Sequence, residues 1–252
     1  MTVRPSAGWR VERRTGSAAE LLEPWPPPDS QAAPVVRAGR VNEGGALVLG
    51  STQDRALIDA GHAAEAGIGI VRRSTGGGAV LVAPDAQVWL DLWVPRGHRL
   101  WDDDIISAAA WLGEAWMLAL EGLGAGPLDV HRGAATRGVW SDLVCFAGLG
   151  PGEVHVAAGE TGAKVMGLAQ RRTRTGARFH TSAPLSWDPG PLLALFDLDA
   201  LAAAGIALAD GAESLSLEHA AVGLRALAPW RFEVGGVDVL TTVEDAVIAA
   251  LP

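Results

Sequence analysis

The 252-residue chain contains one cysteine, one lysine and no tyrosine. A single cysteine excludes a disulfide framework and a zinc site made of several thiolates. Long apolar runs are also missing, because none approaches the roughly 20 residues of a membrane span. The four arginines within residues 1–14 are not followed by the apolar core of a signal peptide. We therefore expect a cytoplasmic protein with no membrane partner.

Positive charge is scarce as well. The chain has 20 Lys and Arg residues against 29 Asp and Glu residues, a net charge of -9 at pH 7. This balance argues against a nucleic-acid partner. The apolar fraction of 49% is enough to build a large core. We find no linker and no internal repeat, so we predict one domain over residues 1–252, with residues 188–252 as its helical C-terminal extension.

The lone lysine, Lys164, stands out because the other 19 basic residues are arginines. Such a bias indicates that arginine has replaced lysine wherever the site tolerates it, and an ordinary exposed lysine should have been replaced too. We therefore interpret Lys164 as a functional residue. A buried or half-buried ammonium can hold a carboxylate, a carbonyl oxygen or a phosphate, and it can stabilise a nearby thiolate.

Hydrophobic periodicity and turn residues predict an α+β domain built on a mixed sheet. Strands are predicted at residues 46–50, 68–73, 79–82, 87–94, 128–131, 142–146, 154–157, 164–170, 178–183 and 232–239, the third and fourth as the arms of a hairpin. Helices are predicted at residues 17–22, 53–66, 105–123, 192–201, 213–220 and 243–251, with the aspartates at 102–104 capping the third. The proline-rich residues 23–34 are expected to form a surface loop.

A glycine-rich segment follows the second predicted strand, where Arg72 and Arg73 precede three glycines at residues 76–78. Glycines let the backbone approach a ligand closely and expose N–H groups to an acyl carbonyl or a phosphate, while two arginines can neutralise an anion. The alternative is a flexible turn. The pattern of a nucleotide-binding P-loop is absent.

Two further residue types that carry chemistry lie downstream. Cys145 ends an apolar run and opens a loop rich in glycine and proline, where an exposed thiol near a cation could act as a nucleophile. The alternative is a small buried hydrophobic residue. His180 follows four arginines within residues 171–178, which form either a solvated turn or a patch for an acidic carrier protein. The other histidines lack the spacing of metal ligands.

Taken together and in order, these motifs resemble the catalytic domain of the lipoate-protein ligase, biotin ligase and octanoyltransferase family over about residues 46–187. Residues 72–80 are similar to the family signature Arg-Arg-x-x-Gly-Gly-Gly-Ala-Val, and residues 164–169 to the Lys-Val-x-Gly-x-Ala strand, whose lysine contacts the acyl carbonyl. The resemblance implies a mixed, largely antiparallel sheet flanked by helices, of the class II synthetase-like type.

The resemblance also implies an activity and a site. The activity is attachment of an octanoyl or lipoyl group to the lysine of a lipoyl-domain protein, of the glycine cleavage H or 2-oxoacid dehydrogenase E2 type. Catalytic roles fall to Lys164 and Cys145. An acyl- or adenylate-binding role falls to Arg72, Arg73, Gly76, Gly77, Gly78, Ala79, Gly167, Ala169 and His180.

Three functions fit this resemblance. In a transferase, Cys145 takes the acyl group from an octanoyl carrier thioester and no cofactor is obligatory. In a ligase, ATP and Mg²⁺ activate free lipoate as an adenylate, and Asp142 helps to hold the metal. In a non-catalytic protein, the pocket only binds lipoate or a lipoyl domain. Val82 and Ala83 stand where ligases usually have His and Asp, which favours the transferase, whereas the glycine at 78 is the ligase form of the loop.

Overall fold

The computed structural model describes residues 8–23, 33–138, 140–157, 162–206, 217–228 and 238–252. The strands in these ranges are β1 (Arg10–Gly16), β2 (Val35–Val41), β3 (Gly45–Leu49), β4 (Ile68–Arg72), β5 (Val80–Val82), β6 (Gln87–Pro95), β7 (Leu128–Val130), β8 (Val154–Val156), β9 (Lys164–Arg172) and β10 (Gly176–Pro184). The helices are α1 (Ala18–Leu22), α2 (Ala60–Glu65), α3 (Ala110–Gly122), α4 (Gly190–Leu193), α5 (Leu198–Ala203), α6 (Leu224–Leu227) and α7 (Val239–Ala250). Short 3₁₀ turns cover Arg55–Leu57, Ser107–Ala109 and Cys145–Ala147.

The strands form two mixed sheets. The larger sheet has the order β1-β2-β6-β10-β9-β8-β7, in which β1 and β2 are parallel and the remaining pairs are antiparallel. The smaller sheet has the order β4-β3-β5, with β3 parallel to β4 and antiparallel to β5. The predicted α+β fold, with a mixed and largely antiparallel sheet flanked by helices, is confirmed.

Strands β6 and β9 carry apolar residues at consecutive positions, so the larger sheet is covered on both faces. Leu90 and Leu92 of β6 pack in one core with Leu112 and Trp116 of α3 and with residues of α7. Trp89 immediately precedes Leu90 in the strand and therefore points to the opposite face. There it packs with residues of β3, β5 and α1 in a separate core. The smaller sheet thus lies against the face of the larger sheet that α3 and α7 leave open.

Several predicted elements differ from the structure, because long-range pairing overrides local pattern. Strands β1 and β2 were not predicted. The predicted hairpin of residues 79–82 and 87–94 is wrong, since β5 pairs with β3 and β6 pairs with β2 and β10. Residues 142–146 are not a strand, although Val144 forms one isolated bridge with Ala79. A bridge between Ile58 and Phe196 breaks both predicted helices, 53–66 and 192–201, into shorter pieces.

The start of α3 is also later than the sequence predicts. Its N-cap is Ala109, which makes no side-chain capping bond. The side chain of Asp104 instead accepts a hydrogen bond from the N–H of Ile106 at 2.7 Å, and Asp102 accepts one from the N–H of Asp104 at 2.9 Å. The aspartates therefore stabilise the turn that precedes the helix. Half of the predicted helix 213–220 and most of the predicted strand 232–239 lie outside the described residues.

Helix α7 packs against α3. It belongs to the main core, while the division of the chain at residue 188 stays a prediction. No helix within the described ranges has the length and apolarity that crossing a membrane requires.

We expect Asp238→Ala to lower the free energy of unfolding by about 1 kcal/mol, because the side chain caps α7. Asp238 accepts hydrogen bonds from Thr241 Oγ1 and Arg40 Nη1, both at 2.7 Å. Although burial opposes the shift, the bonds to Thr241 and Arg40 lower the pKa of Asp238 to about 2. The stabilisation is therefore complete above the ordinary pKa of 3.8 and is lost as the pH falls through about 2. Urea unfolding at pH 7 and pH 2 checks this, with exposed Glu43→Ala as the control.

Candidate active site

An apolar cavity lies between the two sheets. Its floor is on the larger sheet, where Gly167 pairs with Ser182 and Ala169 pairs with His180. Because paired residues share a face, these four side chains line one surface. Glycine and alanine at two of the positions leave space above the strands. The cavity has an empty volume of about 490 Å³, including its open mouth, and its lining includes Val48, Val80, Val82, Trp89, Cys145 and Phe146.

A second, more polar cavity of about 1200 Å³, also counted with its open mouth, adjoins the first. It is lined by the three glycines within residues 72–78, the segment that we call the glycine loop, and by Asp142, Glu153 and Lys164. Three residues, Cys145, Leu168 and Ala169, line both cavities. Cys145 is half-buried and its thiol is free. The residue therefore lies at the boundary between an apolar cavity and a polar one.

The two arginines of the glycine loop bind backbone carbonyls. Buried Arg73 donates hydrogen bonds from Nη2 to the carbonyl oxygens of Gly76, at 2.7 Å, and Gly78, at 2.9 Å. Exposed Arg72 donates from Nη1 to the carbonyl oxygen of Gly50 at 2.8 Å. In this structure the arginines shape the loop, and their predicted contact with an anion stays a prediction.

The glycines of the loop are required to different degrees. Gly77 has a φ of +94°, a conformation that side chains disfavour. At Gly78 a Cβ would lie 2.6 Å from the carbonyl carbon of Val144 and 2.7 Å from the amide nitrogen of Cys145. At Gly76 a Cβ would meet no atom within 4 Å. Gly78 is therefore the point at which the loop packs against the backbone of residues 143–147, which we call the cysteine turn.

Hydrogen bonds continue this contact along the chain. The N–H of Ala79 donates to the carbonyl oxygen of Leu143 at 2.7 Å, and the N–H of Cys145 donates to that of Ala79 at 3.0 Å. These two hydrogen bonds hold the glycine loop next to the cysteine turn, so the two predicted motifs lie at one site. The position of Cys145 depends on this pairing.

Lys164 lies at the start of β9 and is 2% exposed. Its Nζ donates hydrogen bonds to the carbonyl oxygens of Cys145, at 2.7 Å, and Gly148, at 2.9 Å. It also forms an ion pair with Oε2 of Glu153 at 2.7 Å. An ammonium has three N–H donors, so these three contacts use all of them. In this state the lysine holds the cysteine turn, and no donor is left for an acyl carbonyl.

Glu153 is a site residue that the sequence analysis did not identify. Besides Lys164, its carboxylate accepts hydrogen bonds from the N–H of Gly150 at 2.6 Å and the N–H of Leu168 at 2.9 Å. It therefore ties the loop after Cys145 to β9. A buried lysine requires a counter-charge. Glu160 lies nearer to Lys164 along the chain than Glu153 does, so the sequence alone does not single out Glu153.

His180 and Asp91 form a second buried pair on the floor of the apolar cavity. Nδ1 of His180 lies 2.5 Å from Oδ1 of Asp91, whose Oδ2 accepts a hydrogen bond from Arg178 at 2.6 Å. Burial lowers the pKa of His180 and outweighs the attraction of Asp91. Burial alone would raise the pKa of Asp91, but His180 and Arg178 hold it well below its ordinary value. The carboxylate is charged and the imidazole is neutral near pH 7.

Asp142 lies at the rim of the polar cavity, with its side chain 80% exposed and paired with Arg137 at 2.8 Å. In the ranges that the structure describes, no three His, Cys, Asp or Glu side chains come together to hold a metal ion. Mg²⁺ is usually held by one or two carboxylates together with substrate phosphates. A single carboxylate that already binds an arginine is a poor fit for a resident magnesium ion.

The model of the lipoyl protein ligase A/B catalytic domain family matches residues 31–212, well over half of the chain. The chain belongs to this family. It is accordingly an enzyme of the lipoate ligase and transferase group, and protein lipoylation is its general activity. A search of curated proteins gives no match.

Solved structures with the fold of this lipoyl protein ligase A/B domain support the architecture. A bipartite lipoate protein ligase from Thermoplasma acidophilum aligns with a TM-score of 0.61 at 19% identity, covering 96% of this chain and 82% of that one. A lipoate-protein ligase A bound with ATP aligns with a TM-score of 0.63 at 17% identity, covering 96% and 83%. A putative lipoate protein ligase from T. acidophilum with bound lipoic acid gives 0.62 at 19% identity, covering 96% and 84%. At these identities the likeness shows a common fold.

We predict that Gly78→Ala disrupts the cysteine turn, whereas Gly76→Ala does not. The new methyl group at 78 collides with the backbone at Val144 and Cys145, which cannot move as a flexible side chain could. We expect a loss of about 1–3 kcal/mol in the free energy of unfolding for Gly78→Ala. Gly76→Ala should stay within about 0.5 kcal/mol of the unmodified protein. Denaturant unfolding of both variants checks this, and equal stabilities would contradict the packing argument.

Proposed function

We propose that the protein transfers an octanoyl or lipoyl group to the lysine of a lipoyl domain through a thioester on Cys145. The observation that carries the proposal is that Cys145 lines both the apolar and the polar cavity. An acyl chain in the first cavity places its carbonyl carbon at the boundary, where the thiol can attack. The second cavity is open to the carrier and to the incoming lysine.

The lining of the first cavity suits an acyl chain because it is almost entirely apolar. Burial contributes about 0.8 kcal/mol for each methylene group, or about 5 kcal/mol for the six of an octanoyl group. Gly167 and Ala169 provide room for the chain, which is consistent with their predicted acyl-binding role. Binding of a lipoyl group in this cavity agrees with the lipoic acid bound to one structure of the same fold.

The two acyl transfers need no external cofactor. In the first, the Cys145 sulfur forms a bond to the acyl carbon and the carrier thiol leaves. In the second, the amine of the target lysine attacks the enzyme thioester, an amide forms and the Cys145 thiol is regenerated. Lys164 holds the carbonyl of Cys145 throughout, which fixes the turn that carries the nucleophile. Because its three donors are already used, its positive charge acts on the developing oxyanion without a direct hydrogen bond.

A ligase that uses ATP is the second candidate. The size of the polar cavity, about 1200 Å³, favours it, because a nucleotide could lie next to the acyl cavity. A structure of the same fold is bound with ATP. Against it, Arg72 and Arg73 donate to backbone carbonyls and Asp142 is paired with Arg137. In this reading Cys145 is a packing residue. The third candidate function is non-catalytic binding of lipoate or of lipoyl domains.

We expect Cys145→Ser to eliminate octanoyl transfer from an octanoyl carrier thioester to a lipoyl domain, because a serine hydroxyl is a far weaker nucleophile than a thiolate. The unmodified protein, mixed with the donor alone, should gain the mass of one octanoyl group that hydroxylamine removes. Mass spectrometry measures both.

Parallel reactions contain lipoate and ATP instead of the carrier thioester. Full-rate modification of the lipoyl domain by the serine variant with lipoate and ATP would establish the ligase. No product from either donor, with binding retained, would establish the binder.

Lys164→Ala should lower the rate of acyl transfer about a hundredfold or more, since one preorganised charge is worth about 3 kcal/mol in rate. The variant also leaves the carboxylate of Glu153 buried without its cation. Lys164→Arg should not restore the rate, because a planar guanidinium cannot reproduce the three donor directions of the ammonium. Single-turnover kinetics measure the rate, and circular dichroism confirms folding. A near-normal rate in the alanine variant would remove Lys164 from the site.

A further inference from the structure

Nε2 of His180 is a buried polar atom without a hydrogen-bond partner. The residue is 8% exposed and lines the apolar cavity. Leaving a buried polar atom unpaired costs about 1–3 kcal/mol. The other ring nitrogen, Nδ1, lies 2.5 Å from Oδ1 of Asp91 at angles outside those of a hydrogen bond, and Nε2 has no partner among the described residues. Such an atom in a binding cavity indicates a partner that arrives or moves during the reaction.

The protonation state of the ring follows from its neighbours. An ionised carboxylate only accepts hydrogen bonds, so Nδ1 next to Asp91 carries the hydrogen. Burial keeps the imidazole neutral by lowering the pKa of His180. Nε2 is therefore an acceptor with a free lone pair. Its partner must be a hydrogen-bond donor.

The saturated chain of an octanoyl group has no N–H, O–H or S–H donor. The thiol of Cys145 is a donor and lines the same cavity as His180. Ala169 lies directly opposite His180 in the sheet and lines both cavities together with Cys145. The thiol and Nε2 are not hydrogen-bonded in this structure, so a proton transfer between them requires that they approach each other within the cavity. We propose that His180 accepts the proton of the Cys145 thiol and that Asp91 positions the imidazole for this transfer. This inference rests on the proposed transferase function.

The proton is conserved through both transfers. When the thiol attacks, its proton passes to Nε2, and the imidazolium returns that proton to the departing carrier thiolate. When the target amine attacks, the proton released as the amide forms passes to Nε2 and then to the Cys145 thiolate as the thioester breaks. The histidine is neutral at the end of each transfer.

Charged groups on three elements face the imidazole. Asp91 of β6 stabilises the imidazolium that forms, while Arg178 of β10 and Arg73 after β4 lower the pKa of His180. Arg178 also holds Oδ2 of Asp91 at 2.6 Å, which keeps the carboxylate in place as a charged acceptor. Because burial and the two arginines lower the pKa of His180, the imidazolium readily gives its proton back. The same division of roles is found in catalytic triads.

Alkylation of Cys145 by iodoacetamide tests the proposal without any acyl donor, and the single cysteine makes the product one defined mass. We expect His180→Phe to slow alkylation at pH 7.5 at least about tenfold, since the base is removed while the ring volume is kept. Asp91→Asn should slow it as well, because an amide can donate to Nδ1 and so allow the other tautomer. The control is His98→Gln, which alters a histidine outside the cavity and should alkylate at the unmodified rate.

A measurement on the unmodified protein covers the case in which the variants do not fold. The ¹⁵N chemical shift of His180 Nε2 should change when Cys145 is alkylated, because the proposal requires the sulfur to come within hydrogen-bond distance of Nε2 and alkylation removes its proton. Unchanged alkylation in a folded His180→Phe variant, or an unchanged Nε2 shift, would overturn the proposal. Absence of octanoyl transfer by the unmodified protein would instead contradict the transferase function, and the alkylation rates distinguish the two failures.

Discussion

The ion pair between Lys164 and Glu153 is the interaction on which the rest of the site depends. Both side chains are almost fully buried, so neither charge could remain there without the other. The carboxylate is further held by two backbone N–H groups, and the ammonium by two backbone carbonyls. With every donor and acceptor satisfied, the pair fixes the loop that follows Cys145 against β9. The thiol is thereby placed at the boundary of two cavities.

The two sheets determine what those cavities can hold. The face of the larger sheet beneath the smaller one has small residues at Gly167 and Ala169, while its other face is filled by α3 and α7. An apolar space results where the sheets would otherwise meet. The glycine loop lines the adjoining polar cavity, and Gly78 packs directly on the backbone at Val144. The loop thus has a structural role before any ligand binds.

The sequence was sufficient for the fold class, and most of the predicted site residues lie around the two cavities. Lys164 was singled out by composition, and the glycine loop by its motif. Glu153 and Asp91 were not identified, because their roles depend on partners that are distant along the chain. Asp91 lies in an apolar strand and is recognisable only once β10 brings Arg178, 87 positions later, against it. The pairing of β5 and β6 with different sheets has the same cause, because local pattern does not specify a strand's partner.

The half-buried thiol at the junction of the cavities has a consequence for the redox chemistry of the protein. A sulfenic acid formed at Cys145 has no second cysteine in the chain with which to condense, since the sequence contains only one. Its reduction back to the thiol therefore requires an external thiol, and oxidation to the sulfinic acid is irreversible. A nucleophilic Cys145 would stay active only where small thiols are abundant, and a bound acyl chain that covers the sulfur would also protect it.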